Sequence, residues 1–504
     1  MTMARSVPAK FVLALISTCF LGQAASQAAE DWNRWAKEEL EKTLKLEKLN
    51  TNIAKNVIVF LGDGFGISTL TSARIYKGQL EGKTGEEDSL TLETLPRSCL
   101  LKTYNTDHQV ADSAGTATAL LSGVKTKRGV IGVDDSVIKS NCSSTKAAEI
   151  DSIFDMALRQ GKAAGIVSTA RITHASPASV YAHSADREWE YSADEGCVDI
   201  AAQLVERATD FKVVLGGGRR AFMTNATEDP EDSSLKGRRT DGRDLISEWK
   251  GNLSDGFSAE YVWNKTHFDA VDPKSTDYLF GLFEYGHMEY ESNRVNDTAG
   301  EPSLAEMVEK SIRMLSKNHK GFFLFVEGGR IDHAHHDNRA YDALVDAIAF
   351  DDAVKKGLEM IHRKDTLVIV TSDHGHVNTI NGYPKRGNPI LGKSGEIATD
   401  GLPYTTISYT NGPNGLAIQE SFRMNGNRPN ITDVDTEAPD YLQETLVYRA
   451  WELMVARMFP STLTDLTLTC FKTSTSRITS LTSSSTPLVS GNTKRTANPE
   501  IKSQ

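Results

Sequence analysis

Three apolar runs lie far apart in this chain, and each leads to an acidic residue. The runs are residues 56–61, 321–326 and 366–371, and they lead to Asp63, Glu327 and Asp373. Short apolar runs of this kind are typical of buried strands. Helical patterns, such as residues 147–160 and 340–358, lie between them. The alternation predicts an α/β fold, a three-layer sandwich around a mostly parallel sheet with helices on both faces.

The edge of this sheet is the expected place for a functional site. Further strands are predicted at residues 164–168 and 213–215. Parallel strands end at one edge, where binding sites of open sheets form, so we expect the three acidic residues to lie close together there. Residues 381–447 begin with a stretch rich in Gly, Pro and Asn and are predicted to form a loop-rich insertion.

The N-terminus has the pattern of a secretory signal peptide, which we assign to residues 1–29. Arg5 and Lys10 precede an apolar run at residues 11–21, and small residues follow it. The run is too short for a membrane span, and the alternative is a buried helix. Export agrees with six glycosylation triplets, at Asn141, Asn225, Asn252, Asn264, Asn296 and Asn430.

The net charge and the cysteines indicate which kinds of partner and which cellular compartment suit this chain. The net charge is −11, without the concentrated basic stripe that marks a nucleic-acid binder. An anionic substrate would therefore need local attraction from metal ions and arginine. If Cys19 is removed with the leader and Cys470 is set aside with the C-terminal tail, Cys142 and Cys197 form the natural disulfide pair in an oxidising compartment, leaving Cys99 outside it. Spacing alone does not establish that pairing.

Two clusters of aspartate and histidine suggest metal binding. Asp332 and His336 are four residues apart, one helical turn, so both can face one ion. Asp373, His374 and His376 follow the strand at residues 366–371. Carboxylate with imidazole suits zinc, whereas carboxylate with hydroxyl oxygen suits magnesium. A single histidine is more often structural than metal-binding, but two clusters at strand ends together favour metal ions.

Ser113 begins a helical segment rich in small residues, Asp112-Ser-Ala-Gly-Thr-Ala-Thr-Ala. A helix N-terminus offers free N–H groups to an anion, and a serine there is also a common helix cap. No Gly-x-Ser-x-Gly motif surrounds Ser113, which disfavours a Ser-His-Asp hydrolase. A serine beside zinc needs no histidine base, because the ion lowers the pKa of its hydroxyl.

Together these residues resemble the animal alkaline phosphatases over about residues 35–447. The motifs that carry the resemblance are Phe60-Leu-Gly-Asp-Gly, the Ser113 segment, His174-Ala-Ser-Pro-Ala, Val326-Glu-Gly-Gly-Arg-Ile-Asp-His and Ser372-Asp-His-Gly-His. The resemblance implies an alkaline phosphatase domain at residues 30–447 with residues 381–447 as a crown-like region. It also implies hydrolysis of phosphate monoesters at alkaline pH through a phosphoserine at Ser113.

The resemblance further assigns roles to individual residues. It implies that Arg187 grips two phosphate oxygens, that His174 lies near the magnesium and that His376 supports a zinc site. The implied ligands are Asp63, Asp373, His374 and Ser113 for one Zn²⁺, Asp332, His336 and a third histidine for the other, and Asp63, Ser176 and Glu327 for Mg²⁺.

Several other properties are implied in the same way. A Ca²⁺ site is expected at Glu231, Glu284, Glu301 and the carbonyl of Phe283. The cysteines that match Cys142 and Cys197 are paired in the family. The resemblance implies a homodimer, secreted or on the extracellular face of the plasma membrane. The intact protein could carry a GPI anchor.

The C-terminal part departs from the family. The third zinc histidine should lie in a Thr-His-Gly-Gly-Glu-Asp-Val-like motif, yet every histidine of this chain precedes residue 377. Back-translation of residues 451–459, read from the third base of the Trp451 codon, permits Gly-Thr-His-Gly-Gly-Glu-Asp-Val. We interpret residues 448–504 as a frame-shifted tail that begins near Tyr448. The alternative is an unrelated tail.

Two other functions compete with this interpretation. One is a phosphodiesterase or sulfatase of the wider metal-dependent superfamily, which the Ser113 motif and Glu327 disfavour. The other is a secreted metal-binding protein without catalysis, a function compatible with the missing histidine. Broad phosphatases recognise mainly the phosphate group, so the resemblance implies a broad choice of alcohol.

Overall fold

The computed structural model describes residues 34, 36–38, 41, 52–253, 256–455 and 459–463. The predicted signal peptide (1–29) and residues 464–504 of the predicted tail lie outside these residues. No helix among the described residues combines the length and the apolar character that a bilayer crossing requires.

Nine of the described strands form one twisted central sheet. Seven of them are mutually parallel: β1 (Asn56–Gly62), β3 (Ala163–Arg171), β4 (Phe211–Gly217), β5 (Ala259–Val262), β6 (Tyr278–Leu282), β7 (Phe322–Gly328) and β8 (Thr366–Ser372). The other two are β2 (Arg97–Leu101) and β16 (Phe459–Leu463), and β16 runs antiparallel between β2 and β8. The order is β2-β16-β8-β1-β7-β3-β4-β6-β5.

The described residues among 34–41 are helical, and between residues 52 and 463 the described part of the chain contains twelve α-helices. They are α1 (Ile67–Leu80), α2 (Ser113–Ser122), α3 (Thr145–Ala148), α4 (Ile153–Arg159), α5 (Ala175–Ala178), α6 (Ile200–Glu206), α7 (Leu245–Asn252), α8 (Lys265–Ala270), α9 (Leu304–Leu315), α10 (Arg330–His336), α11 (Ala340–Met360) and α12 (Gly415–Asn425). Short 3-10 helices lie at Thr91–Thr94, Cys142–Ser144, Arg219–Ala221 and Arg294–Asn296.

Helices cover both faces of the sheet, as predicted. Alternate residues of β1 point to opposite faces: Val57 and Val59 belong to one hydrophobic cluster, whereas Ile58 and Phe60 belong to the other. The first cluster also contains apolar residues of α4, α6 and α7, and the second contains those of α1, α9 and α11. The domain is therefore a three-layer α/β sandwich.

The five predicted strands are present as β1, β3, β4, β7 and β8. The prediction of one helix over residues 147–160 was wrong, because the segment breaks after α3 and restarts at α4. Ser152 caps α4, accepting a hydrogen bond from the Asp155 N–H at 3.2 Å. Just before it, Glu149 forms a β-bridge with Val133, so the residues between the helices are extended.

The region predicted to be loop-rich contains short strands as well as loops. Within residues 381–447 these are β11 (Lys393–Ile397), β12 (Pro403–Thr405), β13 (Ile407–Gly412) and most of β14 (Thr445–Tyr448). Strands β9 (Gly375–His376) and β10 (Asn378–Ile380) precede this region, and β15 (Met454–Val455) follows it. Strands β10, β13 and β14 form one small sheet, and β11 pairs with β12. Strand β15 lies in the predicted tail and pairs antiparallel with β9, which places residues 454–455 beside His376.

Candidate active site and metal-binding clusters

The predicted site lies where β1, β7 and β8 end. Leu61 of β1 is in register with Glu327 of β7, and Gly62 is in register with Ser372 of β8. Asp63 and Asp373 follow directly, and all three acidic side chains are buried. The Gly64 N–H donates to Asp373 Oδ1 at 3.0 Å, which ties the two loops together. The structure therefore brings together the acidic residues that end the three strands.

Ser113 is the first residue of α2 and is buried at this edge. Its Oγ lies 3.2 Å from Asp63 Oδ1 and 3.2 Å from His374 Nε2. The helix cap is the preceding residue, since the Asp112 carboxylate accepts from the Gly115 N–H at 3.2 Å. The Ser113 hydroxyl is therefore not used as the cap and points toward the predicted metal ligands.

Asp112 also holds the predicted phosphate-binding arginine. Arg187 Nη1 donates to Asp112 Oδ2 at 3.1 Å, and Arg187 Nη2 lies 3.0 Å from His174 Nε2. Burial by itself would raise the pKa of Asp112, but Arg187 and the N–H groups of Gly129 and Gly115 lower it below its usual value. The lowered pKa keeps Asp112 negatively charged, and this charge holds the guanidinium of Arg187 next to the N-terminus of α2.

One predicted zinc set is assembled around His374. Its Nε2 lies 3.2 Å from Asp373 Oδ2 and 3.3 Å from Asp63 Oδ1. Potential ligand atoms of these three residues lie within 4.8 Å of one another. Asp63, Asp373 and His374 each offer one oxygen or nitrogen atom as a metal ligand, and the Ser113 hydroxyl lies beside them.

The second predicted zinc set contains Asp332 and His336 of α10. His336 Nε2 lies 3.2 Å from Asp332 Oδ2, and His376 Nε2 lies 2.7 Å from Asp332 Oδ1. No histidine follows residue 376, and the position next to this pair is occupied by the buried side chain of Glu452. Ligand atoms of His336, His376 and Glu452 lie within 4.8 Å of one another.

The predicted magnesium ligands lie on the other side of Asp63. Ser176 Oγ donates to Asp63 Oδ2 at 3.4 Å, and Asp63, His174 and Glu327 form a compact cluster. Burial raises the pKa of Glu327 to about 7, against the hydrogen bond that Ser168 donates to it. The cluster supplies the oxygen ligands that magnesium prefers.

The electrostatics of the site fit cations. Burial raises the pKa of Asp63 well above its usual value, and the charges of Asp373, Asp332 and Glu327 raise it further. Among the described residues, Glu327 Oε1 and His374 Nδ1 are buried polar atoms without a hydrogen-bond partner. Several buried carboxylates at one place are costly unless positive charge is added, which metal ions would provide.

The predicted calcium residues are only partly brought together. Glu231 and Glu284 cluster with Asp297, whereas Glu301 is outside that group and accepts hydrogen bonds from the Glu289 N–H. Burial raises the pKa of Glu284 to about 8, and the charge of Glu231 adds to this. Phe283, whose carbonyl was the fourth predicted ligand, is buried before Glu284. Asp297 was not predicted.

Two residues at the main site were also missed by sequence reasoning. Asp112 could have been found, because aspartate directly before a helix is a preferred cap and Arg187 needed an anionic partner. Glu452 carried no signal, since it lies in a segment without regular apolar spacing.

The structure joins Cys142 and Cys197 in a disulfide, the pairing that the resemblance implied. The bridge packs against a small hydrophobic cluster that includes Ala185 and Trp189. These two residues flank Arg187. The disulfide therefore supports the segment that carries the arginine.

Comparison with known proteins agrees with this geometry. The family model described as "Alkaline phosphatase" matches residues 54–449. The tissue-nonspecific alkaline phosphatase of Rattus norvegicus is 47% identical over 452 residues, which cover 87% of this chain and 84% of the relative. The human enzyme of the same name is 45% identical with the same coverage. An alkaline phosphatase of Gadus morhua is 44% identical over 82% of this chain and 88% of the relative.

Solved structures are similar as well. The alkaline phosphatase of Thermus thermophilus superposes with a TM-score of 0.60 at 25% identity, covering 84% of this chain and 88% of that one. The enzyme of the Antarctic bacterium TAB5 gives a TM-score of 0.54 at 23% identity over 82% and 92% of the two chains, a likeness of fold. The chain therefore belongs to the alkaline phosphatase family, whose members are phosphoric monoester hydrolases.

Proposed function

We propose that this protein hydrolyses phosphate monoesters through a phosphoserine at Ser113, in a site that holds two Zn²⁺ ions and one Mg²⁺ ion. The observation that carries the proposal is the position of Ser113 Oγ, 3.2 Å from both Asp63 Oδ1 and His374 Nε2. Ser113 is the first residue of α2, and its hydroxyl lies next to two predicted zinc ligands. Free N–H groups at a helix N-terminus favour the bound phosphate.

Three sets of side chains would hold the ions. Asp63, Asp373 and His374 suit one zinc, Asp332 and His336 suit the other, and Asp63, Ser176 and Glu327 suit magnesium. When bound, the ions neutralise the carboxylates, lower the pKa of hydroxyl groups beside them and stabilise charge on the transferring phosphoryl group.

The residues of the chain carry out two displacements. In the first, Ser113 Oγ loses its proton and bonds to phosphorus, and the bond between phosphorus and the ester oxygen breaks. The ester oxygen leaves as the alcohol with a proton. In the second, water bonds to phosphorus, the bond to Ser113 Oγ breaks, and Ser113 regains a proton while inorganic phosphate leaves.

Arg187 orients the phosphate during both steps. Its guanidinium is anchored by Asp112 at 3.1 Å, and its planar fork can donate to two phosphate oxygens. His174, beside Arg187 Nη2 at 3.0 Å, limits how the guanidinium can turn. These residues would contact the phosphate group and not the alcohol, so we expect the enzyme to accept many different phosphate monoesters.

We also propose a cellular location, an oligomeric state and a calcium site for the enzyme. A signal peptide at residues 1–29 and six glycosylation triplets support a secreted or cell-surface glycoprotein. We include a homodimer, a GPI anchor in the intact protein and a calcium ion at Glu231 and Glu284 with either Asp297 or Glu301. No nucleic-acid partner is proposed.

The predicted frame slip near Tyr448 belongs to the proposal too. A slip would explain why no histidine follows residue 376, because the bases permit the expected histidine motif in another reading frame. Sequencing the transcript across codons 440–460 tests it. A single intact frame through these codons would remove this explanation, and the tail would then be native.

The decisive measurement is turnover of an aryl phosphate at about pH 9–10 with zinc and magnesium present. The chain as written, a frame-corrected form and the Ser113→Ala variant of each should be compared. We expect Ser113→Ala to lower kcat by at least about 1,000-fold, since it removes the nucleophile. Ser122→Ala is the control, because Ser122 lies at the other end of α2 and its hydroxyl bonds to the Thr118 carbonyl.

The other functions make different predictions. A phosphodiesterase or sulfatase would prefer a phosphate diester or an aryl sulfate to the aryl phosphate. A metal-binding protein without catalysis would take up zinc in the frame-corrected form and show no turnover. Either result would contradict the proposed phosphatase.

A further inference from the structure

Three histidine rings lie against one another beside the arginine that is predicted to hold phosphate. The ring centroids of His174 and His287 are 5.3 Å apart with the ring planes at 80°, and those of His174 and His333 are 5.3 Å apart at 73°. His287 and His333 are in closer contact, with centroids 3.9 Å apart. This histidine cluster adjoins the phosphate site, because His174 Nε2 lies 3.0 Å from Arg187 Nη2.

A hydrogen bond holds only one side of the His174 ring. The nitrogens of an arginine side chain can only donate, so His174 Nε2 accepts from Arg187 and Nδ1 carries the proton. Nδ1 is buried, and it has no hydrogen-bond partner in the described part of the chain. A functional histidine is usually oriented by a hydrogen bond at its second nitrogen. The orientation of His174 therefore depends on the two rings that pack against it.

His287 is itself held firmly, by the backbone next to it and by Arg171. The Met288 N–H donates to the Thr169 carbonyl at 3.1 Å, and the Arg171 N–H donates to His287 Nδ1 at 3.2 Å. His287 Nε2 also contacts Nη1 of the same arginine. The ring of His287 is therefore a fixed surface against which His174 can pack.

Arg171 connects His287 with the segment that carries Arg187. Its Nε and Nη2 donate to the buried carboxylate of Glu190 at 2.8 and 2.7 Å. Glu190 follows Arg187 by three residues. The contacts therefore form a closed ring, Arg187–His174–His287–Arg171–Glu190, which the chain between Arg187 and Glu190 completes. In such a ring the position of each side chain is limited by its two neighbours.

We propose that His287 is a positioning residue for phosphate binding, whose ring keeps His174 turned toward the guanidinium of Arg187. Without the His287 ring, His174 keeps one ring neighbour and is free to turn away from Arg187. Asp112 still holds Nη1 of the guanidinium at 3.1 Å, so we expect phosphate binding to be weakened and not lost. The inference rests on the proposed phosphatase site and adds to it a residue that none of the sequence motifs contains.

The test measures the binding of inorganic phosphate as well as turnover. The full chain, both as written and in the frame-corrected form, is loaded with zinc and magnesium and titrated with inorganic phosphate in a calorimeter. Three variants separate the contacts of His287. His287→Ala removes the ring and the acceptor, His287→Phe keeps a ring, and His287→Asn keeps an acceptor for the Arg171 N–H. His267→Ala is the control, because His267 is an exposed histidine on α8 whose ring contacts Trp263.

We expect His287→Ala and His287→Asn to raise the dissociation constant of phosphate by about 2–10-fold, the factor that corresponds to the loss of one hydrogen bond. His287→Phe and His267→Ala should bind phosphate like the unmodified frame-corrected form. With an aryl phosphate, KM should rise in the same two variants while kcat changes less. The reason is that His287 contacts Arg171, His174 and His333, none of which is a predicted ligand of zinc or magnesium.

Three results would overturn the inference and leave the proposed function intact. The first is unchanged phosphate affinity in His287→Ala. The second is weakened binding in His287→Phe with normal binding in His287→Asn, which would assign the effect to the hydrogen bond with Arg171 and not to the ring. The third is a fall in kcat as large as the fall in affinity, together with a lower melting temperature, which would indicate a general structural role. Absence of phosphate binding in both unmodified forms would instead contradict the proposed function itself.

Discussion

Asp346 shows how a single buried carboxyl group ties stability to pH. It lies on α11, and its Oδ2 accepts from the Glu291 N–H at 3.1 Å. Burial raises its pKa to about 8, and the charges of Glu291 and Asp342 add to this against Arg330. The folded protein therefore keeps a proton that the unfolded chain releases above about pH 4. Because the folded state binds more protons, the free energy of unfolding falls as pH rises toward 8.

The variant Asp346→Asn should remove this contribution. Its amide oxygen can still accept from the Glu291 N–H, and no proton is lost between pH 4 and 8. We expect its melting temperature to fall less than that of the unmodified chain between pH 6 and 9.5. The control is Asp433→Asn, an exposed acid after α12, whose curve should follow the unmodified chain. Parallel curves for Asp346→Asn would contradict the prediction.

Individual site residues were predictable where a motif and a strand end coincided. Asp63, Glu327 and Asp373 follow apolar runs, and parallel strands bring such residues to one edge. Residues that depend on the path of a loop were not predictable. Asp297 clusters with Glu231 because of how the segment after Arg294 folds, and spacing in the sequence does not reveal that.

At the scale of elements, helix α4 depends on the capping residue that directly precedes it. Ser152 Oγ accepts from the Asp155 N–H at 3.2 Å, and Asp155 Oδ2 accepts from the Ser152 N–H at 2.7 Å. The predicted change is Ser152→Ala, which should lower the free energy of unfolding by about 1–2 kcal/mol. Denaturant unfolding measures this. Ser152→Thr keeps the hydroxyl and should lose less; an equal loss in both variants would mean that the cap is not the cause.

The prediction of elements succeeded where apolar runs were long and regular. The strands beside the site were recognised because they are apolar throughout and lie between helices. The break between α3 and α4 was missed, because both halves have helical composition and the bridge from Glu149 to Val133 is a tertiary contact. Strand β16 was missed because its sequence, Phe-Pro-Ser-Thr-Leu, has no continuous apolar run and contains a proline, which is unusual in a strand paired on both sides.

At the scale of the whole molecule, we expect the disulfide to affect both the free energy of unfolding and the binding of phosphate substrates. The bridge joins Cys142 and Cys197 across 55 residues and packs beside the segment that carries Arg187. Replacing both cysteines by serine should lower the free energy of unfolding by about 2–5 kcal/mol. We also expect a higher KM for an aryl phosphate, because the arginine is held less firmly.

Thermal unfolding and steady-state kinetics of the frame-corrected form test this. Cys99→Ser is the control, since Cys99 lies outside the bridge on β2. If the double variant has a lower melting temperature but an unchanged KM, the disulfide stabilises the domain without supporting Arg187. If neither quantity changes, the bridge is dispensable.

In the chain as written, the central sheet cannot be completed during translation until β16 (Phe459–Leu463) has been synthesised. This strand is the last one described, yet it fills the gap between β2 and β8. A ribosome-bound chain therefore exposes the open edges of both strands until residue 463 has emerged. Open edges pair readily with other chains. Premature termination before residue 459 should thus produce chains that aggregate or engage chaperones, even though every predicted ligand from Asp63 to His374 has already been made.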